Sequence, residues 1–379
     1  MRLFLSCSEL GLGHVSRIIP LGKRLKAHGH EMSFFSGGKA FELLSKEFSQ
    51  VFRCTPVSWY ENAHGIITSA SLVNLLLPLP LFNLEKDRLE WKSSNAMETI
   101  RRYYDLRKNL LRIAPDLLIA DGDINALRLA SRWKIPALYI ANMIRPSYGF
   151  LALLNPGERL IERYVKQSQK IIIPDNPPPF TVSEYNIGDL NTIGLSGKVE
   201  YTGSFVDTTP VNGKKEHIYA AISGPVGTRA KLANVILPVL EKLETKSIVS
   251  LGMPGKKAQS KVGKCELHTW LTIEERKEAM RNAKFVIFSG GHATSFETIK
   301  YGKPTICIPT QPEQSANAAK LEKMQTSILV KNLKGLKKAV EKLEYGIDKY
   351  SEKVEILRAF SNRFKGLDRA EFLVETLLN

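Results

Sequence analysis

Two separate parts of this 379-residue chain carry side chains whose types and spacing suit chemistry on a charged, hydroxyl-rich molecule. The first is Phe285–Ala318, FVIFSGGHATSFETIKYGKPTICIPTQPEQSANA. Ser289, Gly290 and Gly291 make a turn, and a helix led by Ala293, Thr294 and Ser295 opens directly from it. A helix start of this kind presents unpaired N–H groups and the positive end of the helix dipole, so it suits phosphate. His292 lies at its mouth. Glu297 falls three residues beyond Thr294, on the same face and one turn further in. A carboxylate touching phosphate would be repelled, whereas one step away it can accept both hydroxyls of a ribose. Glu313, Gln314 and Asn317 follow the next apolar run and are suited to sugar hydroxyls.

The second part is split. His14 closes the loop Glu9–His14, ELGLGH, at the start of a helix, where an imidazolium is disfavoured and a neutral ring suits a general base. Asp121-Gly122-Asp123 ends the apolar run Asp116–Ala120. A carboxylate on the far nitrogen of such a His fixes its tautomer and raises its basicity, and Asp121, nearest the strand end, is the natural partner. Asp123 reads as the N-cap of a helix over Ile124–Arg132.

These residues need elements to hold them. Arg2–Ser8, Glu31–Ser36, Asp116–Ala120 and Pro136–Ala141 have the length of buried parallel strands, as do His217–Ile222, Lys246–Leu251, Phe285–Phe288 and Thr305–Ile308. Val15, Ile18, Ile19, Leu21 and Leu25 repeat with helical spacing. The order is strand, Gly-containing loop, helix, which places the loops at the carboxyl edge of a sheet. The form G-x-G-x-x-S after the first strand is not a dinucleotide fingerprint, because the second strand ends in Ser36-Gly37-Gly38 with no acidic residue for an adenine ribose. Leu84–Ile113 reads as one long helix carrying Arg88, Lys92, Arg101, Arg102, Arg107, Lys108 and Arg112. Ile66–Phe82 is strongly apolar with no clear period; it reads either as a loop and helix packed under a cleft or as an exposed patch meeting lipid. Gly252–Lys264 reads as a flexible basic loop, and Thr272-Ile273-Glu274-Glu275 as a capping box.

The succession S-G-G-x-x-T-x-x-E, G-K-P-T-x-x-I-P and E-Q-x-x-N-A resembles the donor-binding signature of GT-B glycosyltransferases of the family 28 and family 1 group. That group includes the bacterial cell-wall enzyme adding N-acetylglucosamine to a lipid-linked sugar, and the glucuronosyl and plant secondary-metabolite transferases. The resemblance implies an α/β protein of two Rossmann-like domains facing a cleft. Residues 1–206 would bind the acceptor and 207–350 the nucleotide-sugar, with helices over 351–379 returning to the first domain. The implied donor site comprises Ser223, Gly224, Gly227, Trp270, Leu271, Ser289, Gly290, Gly291, His292, Ala293, Thr294, Glu297, Glu313, Gln314 and Asn317. His14 and Asp121 would be catalytic, with Gly11, Gly13 and Arg145 on the acceptor side. Plant-type members carry a His where this chain has Ser289, so phosphate would rest on backbone N–H groups, Thr294 and His292. The implied reaction moves a sugar from a nucleotide-sugar, a UDP-sugar by analogy, to a hydroxyl or lipid-linked acceptor, with inversion. The nucleotide-sugar is then a substrate and no cofactor is called for. Nor is a metal, since Asp121-Gly122-Asp123 falls outside the donor stretch. A nucleotide-sugar 2-epimerase of the same fold, or a partner subunit that has lost catalysis, are the rival readings.

Composition limits the partners. The 54 Lys and Arg against 38 Asp and Glu give a net charge of +16, which attracts phosphorylated substrates or an anionic membrane surface. No nucleic-acid-binding module is recognisable. No apolar window reaches the length of a membrane span, so the expected place is the cytoplasm or the inner face of its membrane. Cys7, Cys54, Cys265 and Cys307 are far apart and read as core thiols.

Overall fold

The computed structural model describes all but residues 10–11, 56, 58–59, 63–64, 67, 84–86, 150–151, 153–154, 207–212, 225 and 254–257. Two seven-stranded sheets organise the chain. Across the first, the strand order is Val199–Tyr201, Lys170–Ile173, Ala137–Ile140, Leu117–Asp121, Arg2–Cys7, Glu31–Ser36 and Val51–Arg53, all parallel. Both faces are covered, which is why these strands are apolar at successive positions. Leu3, Leu5 and Cys7 point to one side and pack with Val15, Ile18, Leu21 and Leu25 of helix Leu12–Ala27. Phe4, Leu118 and Ala120 point to the other and meet Leu106, Leu110 and Leu127. Leu367, Ala370, Leu373 and Val374 of the last helix, Gly366–Leu378, complete the first of these cores, so the C-terminus returns to the first sheet.

The second sheet has the order Gln259–Val262, Cys265–His268, Ser247–Ser250, His217–Ala221, Ala283–Phe288, Thr305–Cys307 and Ser327–Leu329. Its strands are parallel except Gln259–Val262, which runs antiparallel at the edge. This strand replaces part of the basic loop expected over Gly252–Lys264. Its four residues are all exposed, so no apolar alternation marks it, and Lys261 on the rim discourages pairing with another chain. All four cysteines are buried and free.

Each sheet has a switch point. The chain leaves Arg2–Cys7 for Glu31–Ser36 on one side and later lays Leu117–Asp121 on the other. In the second sheet His217–Ala221 is likewise flanked by Ser247–Ser250 and Ala283–Phe288. Crevices for ligands open at the carboxyl ends of strands at such points.

The region between Ile66 and Ile113 departs from the single long helix expected over Leu84–Ile113. A helix Thr68–Asn74 is followed by an antiparallel hairpin of Leu79–Asn83 with Arg88–Lys92, and only then by the helix Asn95–Ile113. The alternation in RLEWK is that of a strand, Asp87 turns with positive φ, and Ser94 caps the helix by accepting from the Met97 amide. Register pairs Pro80 with Trp91 and Phe82 with Leu89, so all four share one face of the hairpin. That face is open to solvent, with Trp91 75% exposed, and Leu72, Val73, Leu75, Leu76 and Leu77 are exposed beside it. The reading of Ile66–Phe82 as core is therefore replaced by an exposed apolar surface, so far as its residues are described. Arg102 does not belong to a basic rim; it is buried. Among the described residues no helix is long and apolar enough to cross a membrane.

Candidate active site

The first switch point assembles an acid–base cluster. Cys7 pairs in register with Asp121, and the Ser8 amide donates to the Asp121 carbonyl at 3.0 Å, so the two strands end level. Helix Leu12–Ala27 starts before the expected Val15 and places His14 in its first turn. The His14 Nδ1 lies 2.7 Å from Asp121 Oδ1. With the carboxylate ionised, Nδ1–H donates to it and Nε2 keeps its lone pair. Asp121 is fully buried, which alone would raise its pKa, but Arg17 and His14 outweigh burial and hold it below the ordinary carboxylate value.

Arg17, one turn beyond His14, grips Asp121 with both prongs of its guanidinium. Nε donates to Oδ2 at 2.6 Å and Nη2 donates to Oδ1. Nη2 also stands 3.1 Å from His14 Nδ1. Gly122 supplies the floor. It has φ +66, and a Cβ there would meet His14 Cε1 at 2.7 Å and Nδ1 at 3.2 Å. Asp123 caps helix Ile124–Trp133 through the Asn125 amide at 3.1 Å, as the sequence predicts, and also accepts from Ser6 and, at 2.8 Å, from Arg102 Nη2. Arg102 in turn holds Glu9, at the head of the His14 loop. Sequence reasoning missed both arginines as site residues. The i, i+3 spacing of His14 and Arg17 was a usable signal, as was the Arg102, Leu106, Leu110 stripe.

Of the residues expected on the acceptor side, Gly11 lies outside the described residues and Gly13 has open space around its Cβ direction. Arg145 is committed elsewhere, its fork closed on buried Glu162, so it does not present a free cation to an acceptor.

The second switch point forms the opposite wall. Helix His292–Lys300 opens at Gly291 with no side-chain cap, leaving the amides of His292, Ala293 and Thr294 without acceptors inside the helix. Gly290, at φ +85, lets this turn press on the helix Pro312–Lys323; a Cβ there would sit 2.8 Å from the Gln314 carbonyl oxygen. Ser289 is buried beneath. Ser223 and Gly224 are exposed at the adjacent loop, and Gly227 sits in the first turn of helix Val226–Leu240. Trp270 is half-buried after strand Cys265–His268, whereas Leu271 is core, packed with Tyr219, Phe288 and Phe296, and so does not line a pocket. Glu297 is clamped by Arg276, with Nη1 donating to Oε2 at 2.7 Å and Nη2 to Oε1.

Several of the residues expected at a donor site reach across to the first domain. His292 Nε2 is 3.0 Å from Oδ2 of Asp175, a buried carboxylate that also accepts from the amides of Asn176, Val182 and Ser183. Glu313 Oε1 accepts from Asn142 Nδ2 at 3.2 Å. Asn317 is fully buried: its oxygen accepts from Asn186 at 2.9 Å and its amide donates to the Gly290 carbonyl at 3.1 Å. Asn317 is therefore a strut between domains, and the sugar-binding expectation for it does not hold in this arrangement. Gln314 accepts from Thr310 through Oε1, which leaves its NH₂ group to donate.

The model of the glycosyltransferase family 28 C-terminal domain matches residues 226–367. An uncharacterized glycosyltransferase of Methanosarcina acetivorans is 28% identical over 340 residues, covering 83% of this chain and 82% of its own. One from Methanosarcina mazei is 26% identical over 333 residues, with 83% and 82% covered. The fold is that of the GT-B glycosyltransferases, and the second half of the chain carries a glycosyltransferase domain. Its fold matches the calicheamicin glycosyltransferase CalG4 with a TM-score of 0.72 at 15% identity, over 100% of this chain and 98% of that one. It matches the spinosyn rhamnosyltransferase SpnG with a TM-score of 0.68 at 15% identity, over 100% and 99%. In the glycosyltransferase described here, then, the His14 cluster and the open helix start at Gly291 stand at the switch points of the two sheets of a GT-B pair.

Proposed function

We propose that this glycosyltransferase moves a sugar from a nucleoside diphosphate sugar to a hydroxyl acceptor with inversion at the anomeric carbon. The observation that carries this reading is the pairing of His14 with Asp121 at one switch point, opposite a helix start with free amides at the other. His14 Nε2 takes the acceptor hydroxyl proton as that oxygen bonds to the anomeric carbon. The bond from carbon to the diphosphate oxygen breaks, and its electron pair leaves with the diphosphate. The amides of His292, Ala293 and Thr294, the Thr294 hydroxyl and the helix dipole receive that charge. Glu297 takes the ribose hydroxyls through the lone pairs that Arg276 leaves open. Leaving-group stabilisation by these groups needs no metal, and Asp121-Gly122-Asp123 is already spent on His14, Arg17, Arg102 and Ser6. A UDP-sugar is the proposed donor; the thymidine diphosphate complex of SpnG makes thymidine nucleotides the comparison to run beside it.

The proposed acceptor is lipid-linked, presented at an anionic membrane on which the hairpin face of Pro80, Phe82, Leu89 and Trp91 rests, with exposed Arg101 and Lys108 toward the headgroups. A thermal-shift panel of UDP, TDP, GDP, ADP and their sugar conjugates tests the donor half, because a ligand of the folded state raises its melting temperature. A shift confined to one nucleotide family names the base. No shift with any of them removes the donor pocket.

A further inference from the structure

We propose that Arg17 is a positioning residue for the transfer, the countercharge that leaves His14 unprotonated until the acceptor proton arrives. The inference rests on His14 being the base. In a bare His–Asp pair a buried carboxylate has only the imidazole to balance it, and the pair therefore tends to hold a proton as imidazolium. Here the balance is supplied elsewhere: Arg17 meets both oxygens of Asp121 through Nε and Nη2, with side chains 9% and 0% exposed. Asp121 Oδ1 is thus shared between Arg17 and His14. Nη2 is 3.1 Å from Nδ1, and since Nδ1–H is donated to Asp121 it cannot accept from Arg17 as well. The guanidinium, bonded to Asp121 but not to the ring, then stands as a cation beside His14 and opposes a second positive charge there. Orientation follows from the same contacts, because a carboxylate fixed at two oxygens fixes where Nδ1 points.

Other charged groups surround the cluster. Cys7 faces Asp121 and Arg17 from the first strand, Glu9 and Arg102 lie behind Cys7, Asp123 lies against Arg102, and Glu313 reaches Arg17 electrostatically from the helix Pro312–Lys323. Arg102 is closed on Asp123 and Glu9, and burial keeps the Cys7 thiol protonated, so neither replaces Arg17 as the countercharge of Asp121. Glu313 acts on Arg17 in the same sense as Asp121, holding it charged.

The test is the pH profile of kcat/KM for the full chain, once its donor is found. In Arg17→Met the acid limb is expected to move up by about one pH unit or more, because removing a neighbouring cation makes the imidazolium easier to form. The donor KM stays near wild type. Arg17→Lys keeps the charge but not the two-pronged grip, so its acid limb stays close to wild type while kcat falls at least tenfold, at about wild-type KM. A folded Arg17→Met enzyme with the wild-type profile overturns the proposal. Should Arg17→Met not fold, Arg17→Lys decides, and wild-type kcat in that variant overturns it. His14→Ala is run alongside. Full turnover there overturns the base reading itself, whereas lost turnover with an unmoved Arg17→Met profile overturns only the role of Arg17.

Discussion

Gly122→Ala is the sharpest probe of the site, because a Cβ added there would meet the ring of His14 first and Ser8 next. The added Cβ would lie 2.7 Å from His14 Cε1 and 3.2 Å from Nδ1. Carbon atoms rest at roughly 3.5–4.0 Å, so the ring must retreat by about 1 Å. A retreat of that size breaks the 2.7 Å bond to Asp121 and takes Nε2 out of line with the acceptor hydroxyl. A 1 Å misplacement at a reacting group costs about a hundredfold in rate. The change also puts a Cβ at φ +66, which costs about 1–2 kcal/mol. In a domain of this size that lowers Tm by roughly 2–4 °C for each kcal/mol. The expected result is kcat down about a hundredfold, an unchanged donor KM, unchanged nucleotide binding by calorimetry and a small drop in Tm. A Gly122→Ala enzyme that turns over at the wild-type rate would show that His14 does not need this seat, and the base assignment would fall with it.

Glu297→Ala is expected to weaken nucleotide binding about tenfold or more, since it removes the proposed ribose acceptor and leaves Arg276 unpaired; calorimetry returning wild-type affinity would retire that assignment. Replacing Trp91 and Leu76 by Glu leaves the fold intact, both being at least 75% exposed, and is expected to abolish sedimentation with anionic liposomes; equal sedimentation of variant and parent would remove the membrane face. Asn317→Ala takes the acceptor from the buried Asn186 amide and should cost about 1–3 kcal/mol, read as a lower urea midpoint. Asp123 is held below the ordinary carboxylate range although burial alone would raise it, because Arg102 and Ser6 outweigh burial. Its stabilisation is therefore present above about pH 4 and lost as pH falls through the folded value. The urea midpoint should fall in acid for the parent and less so for Asp123→Asn.

The pairing of His14 with Asp121 was legible because local rules fix it: strand ends, a helix start and a capping carboxylate place the two side chains with no reference to the other domain. The same holds for the Gly291 helix opening and for the Thr272 capping box, which forms with both of its bonds. What escaped was set by contacts far apart in sequence. Asn317 looks like a sugar ligand by type and spacing, yet its partner Asn186 is 131 residues away. Arg145 looks free until Glu162 is placed, and Leu271 looks like a base platform until the core around Tyr219 closes over it. The hairpin before Asn95 was hidden for another reason: Leu84–Lys92 has helix-forming composition, and a two-strand alternation only five residues long is easily outweighed by it.

The bridges from Asp175, Asn142 and Asn186 to His292, Glu313 and Asn317 bear on how such enzymes exchange their parts. A recombinant joining the first half of this chain to the second half of a relative would inherit two sound sheets and still lack the polar contacts that join them, unless those three pairs travelled together. The joint between the halves is held by side chains from both, so its change requires paired substitutions, and a chimera restoring all three pairs should recover the stability that a simple exchange of halves loses.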